Sequence, residues 1–226
     1  MNKHFWYVGR SEIILSFLKK YCDVSGKMLE VGCGKGDVLL HLKNKGVNIE
    51  GCDISDDALA ILSEKTISYK LDVCNMNIDR KFDIVGCFDV LEHIENDELA
   101  LKNIYTSLKL NGKIILTVPA CNLLWSNFDV LGKHFRRYNM SDLKEKIDRS
   151  GFRIIRVSYF MFFLFPIIFA MRFLGQNATS EDDFIELNVV PVVNDVFLFI
   201  IKVEKFLMRF WNLPYGSSII MVAEKI

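Results

Sequence analysis

Short apolar runs alternate with segments in which apolar residues recur at helical spacing along most of the chain. The runs with strand character occupy residues 28–31, 47–53, 67–71, 81–88, 113–119, 152–158 and 218–224. Helical patterns separate the first five runs, and the fourth of them ends at a predicted Asn111-Gly112 turn before the fifth run. This alternation is typical of parallel strands joined by right-handed crossover helices. The pattern predicts an α/β fold with a Rossmann-like, doubly wound sheet.

The first apolar run ends in three glycines at alternate positions, Gly32, Gly34 and Gly36. Glycine lets the backbone turn sharply and approach a ligand that a Cβ would obstruct. In a dinucleotide-binding turn the third glycine falls one residue later, and here Asp37 takes that place. Together with Glu30 at the strand end, Asp37 favours a cationic ligand over a diphosphate, since carboxylates accept hydrogen bonds from an ammonium group.

Polar residues also follow the next three runs. Asp53 ends the second run, where its carboxylate can accept hydrogen bonds from both hydroxyls of a ribose. NAD-binding proteins share this geometry, so Asp53 indicates a nucleoside and not a reaction. Asp72 follows the third run, as an adenine contact or as a turn residue. Glu92 and His93 follow the fourth, at the edge where open α/β sheets bind ligands, and His93 is either a general base or a structural residue.

The segment E-x-G-x-G-x-G at residues 30–36, together with Asp53, resembles motifs I and II of the class I S-adenosylmethionine-dependent methyltransferases. Residues 88–94 are similar to the segment after strand four in small-molecule members, including those of quinone biosynthesis. The resemblance implies S-adenosyl-L-methionine as cofactor, S-adenosyl-L-homocysteine as product, and an antiparallel last strand between strands five and six. The cofactor-binding residues that it implies are Arg10, Glu30, Gly32, Cys33, Gly34, Gly36, Asp53, Ile54, Asp72, Val73 and Phe88. The alternative is a glycine-rich turn of another kind of α/β protein.

Residues 120–138 lose the periodicity and carry many reactive side chains, as functional loops do. Residues 134–138 resemble an H-x-R-R-Y element of a methyltransferase subgroup whose N-terminus reads H-x-W-x-x-G-R, as residues 4–10 do here. Paired arginines can bind a carboxylate or phosphate, or else carboxylates of the fold itself. The expected catalytic residues are His93, His134 and Tyr138, and the expected substrate-binding residues are Trp6, Tyr7, Trp125, Arg136 and Arg137.

The chain reads as one domain in three parts. Residues 1–25 form an N-terminal helical lid, residues 26–158 and 216–226 form the Rossmann-like core, and residues 159–215 form an apolar helical insertion between strands six and seven. The apolar segment 159–174 is shorter than the roughly 20 residues that a bilayer crossing needs. Cations and aromatic residues alternate at helical spacing in residues 202–211, after a polar connection at 176–186. Residues 159–213 are therefore expected to cover the sheet, to contact a membrane surface or to form a homodimer.

Charge and cysteine usage narrow the class of protein. Lysine plus arginine and aspartate plus glutamate both number 28, and no basic domain is present, so nucleic acid is not an expected partner. The six cysteines form no C-x-x-C pair and have no histidine at metal spacing, which indicates reduced thiols and no metal site. No signal-peptide pattern opens the chain, so a cytoplasmic protein is expected, with peripheral membrane contact as an option.

The sequence thus predicts an enzyme that methylates a small-molecule acceptor. The basic loop and the apolar insertion favour O-methylation of an anionic, glycan-related or lipid-linked acceptor. One alternative is C-methylation of a quinone-like ring, suggested by Leu91-Glu92-His93. Another is a protein that binds S-adenosylmethionine without catalysis and acts through its apolar insertion.

Overall fold

A computed structural model describes residues 4–76, 78–174 and 189–226. One sheet organises the fold, in the order β3-β2-β1-β4-β5-β7-β6. Its strands are β1 (Met28–Val31), β2 (Ile49–Asp53), β3 (Ser68–Lys70), β4 (Phe82–Phe88), β5 (Leu108–Pro119), β6 (Phe152–Phe160) and β7 (Ser218–Lys225). Strands β1 to β5 pair in parallel, whereas β7 lies antiparallel between β5 and β6. The predicted sheet, with its reversed last strand, is confirmed.

Helices cover both faces of the sheet. Those of the described residues are α1 (Phe5–Tyr21), α2 (Asp37–Asn44), α3 (Asp56–Leu62), α4 (Asp97–Ser107), α5 (Asn127–Leu131), α6 (Met140–Arg149), α7 (Phe165–Leu174) and α8 (Pro191–Leu207). Buried side chains of α1, α2 and α8 share one apolar core with one face of the sheet. Those of α4 and α6 share a second core with the other face. Two cores on a single sheet are what a doubly wound fold requires.

The fifth strand begins earlier than the sequence predicts. A turn at Asn111-Gly112 was expected to separate the preceding helix from the strand, but β5 starts at Leu108 and runs through both residues. Leu108 pairs with Phe82 and Lys113 pairs with Ile84, so the register shifts between them. Asn111 takes a left-handed φ of 62° there, which asparagine tolerates better than most residues. The predicted turn is therefore a bulge within the strand.

The insertion between β6 and β7 packs against the N-terminal helix. The Phe5 and Phe197 rings meet edge to face at 4.9 Å, and Lys205 of α8 pairs with Glu12 of α1 at 2.8 Å. A Cβ on Gly9 would lie 2.6 Å from Ile201 Cδ1, so glycine permits this close approach of the two helices. The predicted lid and part of the predicted insertion thus form one layer. The expected connection at 176–186 lies outside the described residues, and the three-part division of the domain stays a prediction.

Among the described residues, no helix is both long enough and apolar enough to cross a bilayer.

Candidate functional site

The predicted cofactor residues meet at the carboxyl edge of the sheet. Glu30 lies in β1, Asp53 ends β2, and Phe88 ends β4. Asp72 and Val73 follow β3, and Arg10 reaches the same edge from α1. Glu30, Val73, Phe88 and Cys33 are buried, whereas Ile54 is exposed. Parallel strands gather residues that are distant in sequence at one edge, which is where such sheets bind ligands.

The glycine turn is closed at both ends and open in its middle. Gly32, Gly34 and Gly36 have φ values of 65°, 50° and 86°. A Cβ on Gly32 would lie 2.4 Å from Val90 Cγ2, and one on Gly36 would lie 2.4 Å from Leu62 Cδ2. A Cβ on Gly34 would meet no described atom within 4 Å. The turn therefore needs glycine for packing at its ends, while Gly34 borders open space where a ligand can approach the backbone.

Asp53 and Asp72 already accept backbone hydrogen bonds. Asp53 Oδ2 accepts from the Gly34 N–H at 2.7 Å, and Oδ1 accepts from the Ser55 N–H at 2.9 Å. Asp72 Oδ1 accepts from the Cys74 N–H at 2.8 Å, the turn role that the sequence left open. Each carboxylate oxygen has a second lone pair, so these bonds fix the side chains without excluding a ligand. Their cofactor roles stay predictions.

Arg10 lies at the centre of a group of acids. Its guanidinium contacts Asp89 and is also influenced by the charges of Glu30 and Glu92. The resemblance implies that Arg10 binds the cofactor, and in the structure the Asp89 carboxylate binds one nitrogen of its guanidinium. Asp89 has a left-handed φ of 54° and accepts a hydrogen bond from Thr117 Oγ1 at 3.0 Å. The sequence did not single out Asp89, because backbone strain of this kind leaves no pattern.

Three buried polar atoms at this edge have no hydrogen-bond partner among the described residues. They are Glu30 Oε2, Glu92 Oε2 and Arg10 Nε. Burial raises the pKa of Glu30 to about 8 and the pKa of Glu92 to about 8, and Arg10 opposes the rise in both. Unpaired buried groups carry a large desolvation penalty that a polar ligand would relieve. A buried carboxyl beside an open glycine turn fits the cationic amino acid end of S-adenosylmethionine.

The raised pKa of Glu30 predicts pH-dependent cofactor binding. A cationic ligand requires the carboxylate, and at pH values below about 8 the free protein must first lose a proton. We expect the affinity for S-adenosylmethionine to rise by up to about tenfold per pH unit from pH 6 to 8 and then to level off. Calorimetric titration at pH 6, 7 and 8 measures this slope.

Two variants show whether the pH dependence of cofactor binding comes from Glu30 or from Glu92. Glu30→Gln should flatten the slope, because the amide does not titrate. Glu92→Gln serves as the matched control, since the pKa of Glu92 is raised in the same way, and it should leave the slope for the cofactor unchanged. Identical slopes in the wild type and Glu30→Gln would contradict the role given to Glu30.

Two histidines meet beside Glu92. The rings of His93 and His134 pack edge to face with centroids 4.6 Å apart. The Phe135 N–H donates to the Glu92 carbonyl at 2.7 Å, so the loop is tied to the turn after β4. Burial and the nearby His134 lower the pKa of His93 below its usual value, while hydrogen bonding with the backbone of Gly132 and Lys133 opposes this. His93 is therefore neutral at pH 7 and able to accept a proton.

The same three side chains form a possible metal-binding group. One ligand atom each from Glu92, His93 and His134 lies within 4.8 Å of the others. A carboxylate and two imidazoles are a donor set that divalent transition metals accept. The sequence predicted no metal site because the three residues lack a recognisable spacing. The loop alone brings His134 to the other two.

A buried carboxylate, Asp129, holds His134 in place. Asp129 Oδ1 lies 2.9 Å from His134 Nδ1 and accepts from Arg137 Nε at 2.9 Å. Asp129 Oδ2 accepts from Arg172 Nη1 of α7 at 2.8 Å. His134 and these two arginines hold the pKa of Asp129 well below its usual range, against its burial. Arg172 also donates to the Leu124 carbonyl at 3.0 Å, so the insertion fixes the loop that carries the histidine.

Tyr138 and Arg136 form a second buried group around Asp97. The Tyr138 hydroxyl donates to Asp97 Oδ2 at 2.7 Å, and Arg136 Nη1 lies 2.8 Å from the same oxygen. Burial and Asp97 raise the pKa of Tyr138 far above its usual value. The expectation of a catalytic Tyr138 therefore has no geometric support here, since its hydroxyl is buried and already donating. Arg136 and Arg137 both bind carboxylates of the fold, the alternative that the sequence left open.

The aromatic residues that are expected to bind the substrate differ in how far their side chains are exposed. Tyr7 and Trp6 are half-buried on α1, and the pKa of the Tyr7 hydroxyl is raised by burial and by nearby Asp37 of the glycine turn. Trp125 is exposed on the loop. Leu123 and Phe135 of the same loop are exposed as well. The loop thus presents apolar side chains at the surface, and the substrate contacts of all these residues stay predictions.

Comparisons with known proteins agree with this geometry. A family model described as a methyltransferase domain matches residues 10–157. The ubiquinone biosynthesis O-methyltransferase of Rickettsia bellii is 31% identical over 113 residues, which are 46% of this chain and 47% of that protein. The chain thus aligns with about half the length of this relative.

Solved structures share the fold. The phosphoethanolamine N-methyltransferase 2 of Haemonchus contortus, in complex with S-adenosyl-L-methionine, superposes with a TM-score of 0.62 at 19% identity, covering 99% of this chain and 56% of that one. A SAM-dependent methyltransferase from Archaeoglobus fulgidus gives 0.59 at 20% identity, covering 95% and 94%. With its glycine turn, its sheet order and the family match over most of its length, the chain belongs to the methyltransferase domain family.

Proposed function

We propose that the protein transfers a methyl group from S-adenosylmethionine to a hydroxyl oxygen of an apolar, hydroxylated ring. The observation that carries the proposal is the His93–His134 pair, oriented by Asp129 at the carboxyl end of β4. Such a pair suits removal of a proton from an acidic hydroxyl. The curated relatives named for O-methylation in ubiquinone biosynthesis support an acceptor of this class.

Separate residues would bind the cofactor and accept the proton. Bound at the glycine turn, S-adenosylmethionine supplies an activated methyl group on a sulfonium. Glu30 and Asp53 would hold the two ends of the cofactor at the glycine turn and so position its methyl group. Asp129 holds His134 with its Nδ1 engaged, which leaves Nε2 to accept the hydroxyl proton. Transfer would then form the bond between the acceptor oxygen and the methyl carbon and break the S–CH₃ bond, whose electron pair would stay on sulfur.

The anionic acceptor expected from the sequence has less support than the ring. That expectation relied on Arg136 and Arg137 as free donors, and both are engaged by carboxylates of the fold. The exposed apolar residues of the loop, Leu123, Trp125 and Phe135, suit a ring or a lipid tail better than a phosphate. We place the protein in the subgroup with H-x-W-x-x-G-R and H-x-R-R-Y segments, because Arg10 and His134 both lie beside Glu92.

A labelled-methyl assay tests the proposal. The protein is incubated with ¹³C-methyl-S-adenosylmethionine and, in separate reactions, a prenylated catechol, a prenylated hydroquinone and an anionic sugar-phosphate lipid. The expected product is an O-methyl ether of the catechol, identified by the carbon shift of the new methyl group. A C-methyl product from the hydroquinone would select ring methylation instead. Transfer to the sugar-phosphate lipid alone would restore the anionic acceptor.

Asp53→Ala is the control for cofactor dependence and should abolish every transfer. Binding of S-adenosylmethionine without turnover of any of the three acceptors would favour the alternative function, in which the protein binds the cofactor without catalysis. No binding of S-adenosylmethionine at all would overturn the proposal at its first step.

A further inference from the structure

The outer face of α8 carries a continuous apolar stripe. Its residues are Val192, Val196, Phe199, Val203, Phe206 and Phe210, the last just beyond the helix, and all are exposed. They follow one another at alternating spacings of four and three residues, which places them along one side of a helix. Phe199, Phe206, Phe210 and Trp211 are 65%, 55%, 60% and 64% exposed. Large aromatic side chains in such a row indicate a surface that meets an apolar partner.

The inner face of the same helix is fixed to the protein. Ile201 and Met208 are buried in the core shared with α1. Glu204 is fully buried and accepts hydrogen bonds from the Phe162 N–H at 2.9 Å and the Phe163 N–H at 3.2 Å. The stripe therefore cannot turn inward to cover itself.

The charged residues around the stripe indicate whether a membrane or a second copy of the chain covers it. Lys202 and Arg209 are exposed along one edge of it and form no ion pair among the described residues. Lys19 and Lys20 of α1 are exposed at the same end, where Lys20 donates to the Arg209 carbonyl. The acids of this layer are engaged elsewhere, since Glu12 pairs with Lys205 and Glu204 binds backbone amides. Asp195, at the opposite end of α8, is the exposed acid of the helix.

We infer that the C-terminal half of α8, with Phe210 and Trp211, lies in the interface of a membrane that contains anionic lipid. Helices that lie in the membrane interface typically combine aromatic residues with cations that have no ion-pair partner. Lipid phosphates would neutralise the cations, whereas a second copy placed face to face would bring like charges together. The inference does not depend on the acceptor, because membrane binding requires neither cofactor nor turnover.

Sedimentation with lipid vesicles tests the inference. We expect the protein to sediment with vesicles of phosphatidylglycerol and phosphatidylcholine, and to bind pure phosphatidylcholine more weakly. Phe206→Ser with Phe210→Ser should lower the partition coefficient by more than about tenfold on both kinds of vesicle. Lys202→Gln with Arg209→Gln should lower it by roughly 25-fold on the anionic vesicles alone, since each cation contributes about fivefold.

A matched variant controls for the loss of exposed apolar surface. Ile67→Ser with Leu110→Ser removes two aliphatic side chains that are 59% and 72% exposed on other parts of the molecule, and its binding should equal that of the wild type. Wild-type protein that stays in the supernatant, or serine variants of the phenylalanines that bind normally, would overturn the inference. So would a dimer in analytical ultracentrifugation that dissociates in the phenylalanine variant, since a second copy would then cover the stripe.

Discussion

Replacing Asp129 by alanine is expected to lower the free energy of unfolding by about 3–5 kcal/mol. The carboxylate is fully buried between Arg137 and Arg172 and also contacts His134. Its removal leaves the guanidinium groups of Arg137 and Arg172 close together without a counter-charge, and that of Arg137 is buried. Urea denaturation at pH 7, followed by circular dichroism, measures the change.

Asp142→Ala is the control for this experiment. Asp142 lies exposed in the first turn of α6, so its removal should change the free energy of unfolding by no more than about 0.5 kcal/mol. Equal stability of the Asp129 and Asp142 variants would show that the buried network contributes nothing.

The same network makes stability depend on pH in a defined direction. The pKa of Asp129 in the folded protein lies well below its usual range. Its contribution to stability is therefore fully present above the unfolded-state pKa of about 4 and is lost as the pH falls toward the folded value. The difference in stability between the wild type and Asp129→Ala should accordingly shrink below pH 4.

Replacing His134 by glutamine is expected to lower kcat by about 10² or more, with the affinity for S-adenosylmethionine unchanged. The imidazole is the group that Asp129 orients, while the cofactor contacts lie on β1 and β2. Steady-state kinetics with the methylated acceptor measures kcat, and calorimetry measures the affinity for the cofactor.

Lys133→Gln, at the exposed neighbouring position, should leave kcat within about twofold and controls for changes in the loop. Asp129→Asn tests the positioning of His134, since it keeps the side-chain volume but no longer fixes the His134 tautomer. It should lower kcat with little effect on the KM for the acceptor. A His134→Gln enzyme with normal kcat would leave His93 as the base.

The pH profile identifies the contribution of His93. Its pKa lies below the usual value of about 6.5 because the ring is partly desolvated and faces His134. If His93 must be neutral for turnover, kcat rises with pH through that lowered pKa and is flat above pH 7. In His93→Gln the part of this acid limb that belongs to His93 should disappear.

Much of the fold could be predicted because it depends on local patterns. Apolar runs separated by helical periodicity specify parallel strands and crossovers, and the glycine spacing marks the first turn. The start of β5 could not be predicted in this way. An Asn-Gly pair is a strong turn signal, but pairing of Leu108 with Phe82 extends the strand through it as a bulge.

The sequence by itself determined the alternation of strands and helices, the glycine turn and the acids at the strand ends, because each depends on residues close together in the chain. Only the tertiary structure decided the partners of the basic loop. Arg137 meets Asp129, Arg136 meets Asp97, and α7 contributes Arg172 to the first pair. Hydrophobic periodicity says which face of an element is buried, but it does not say which buried carboxylate a given cation reaches. That choice depends on how the loop, α4 and the insertion pack. It makes Arg137 a support for Asp129 and His134, and Arg136 a partner of Asp97, where the sequence expected two substrate ligands.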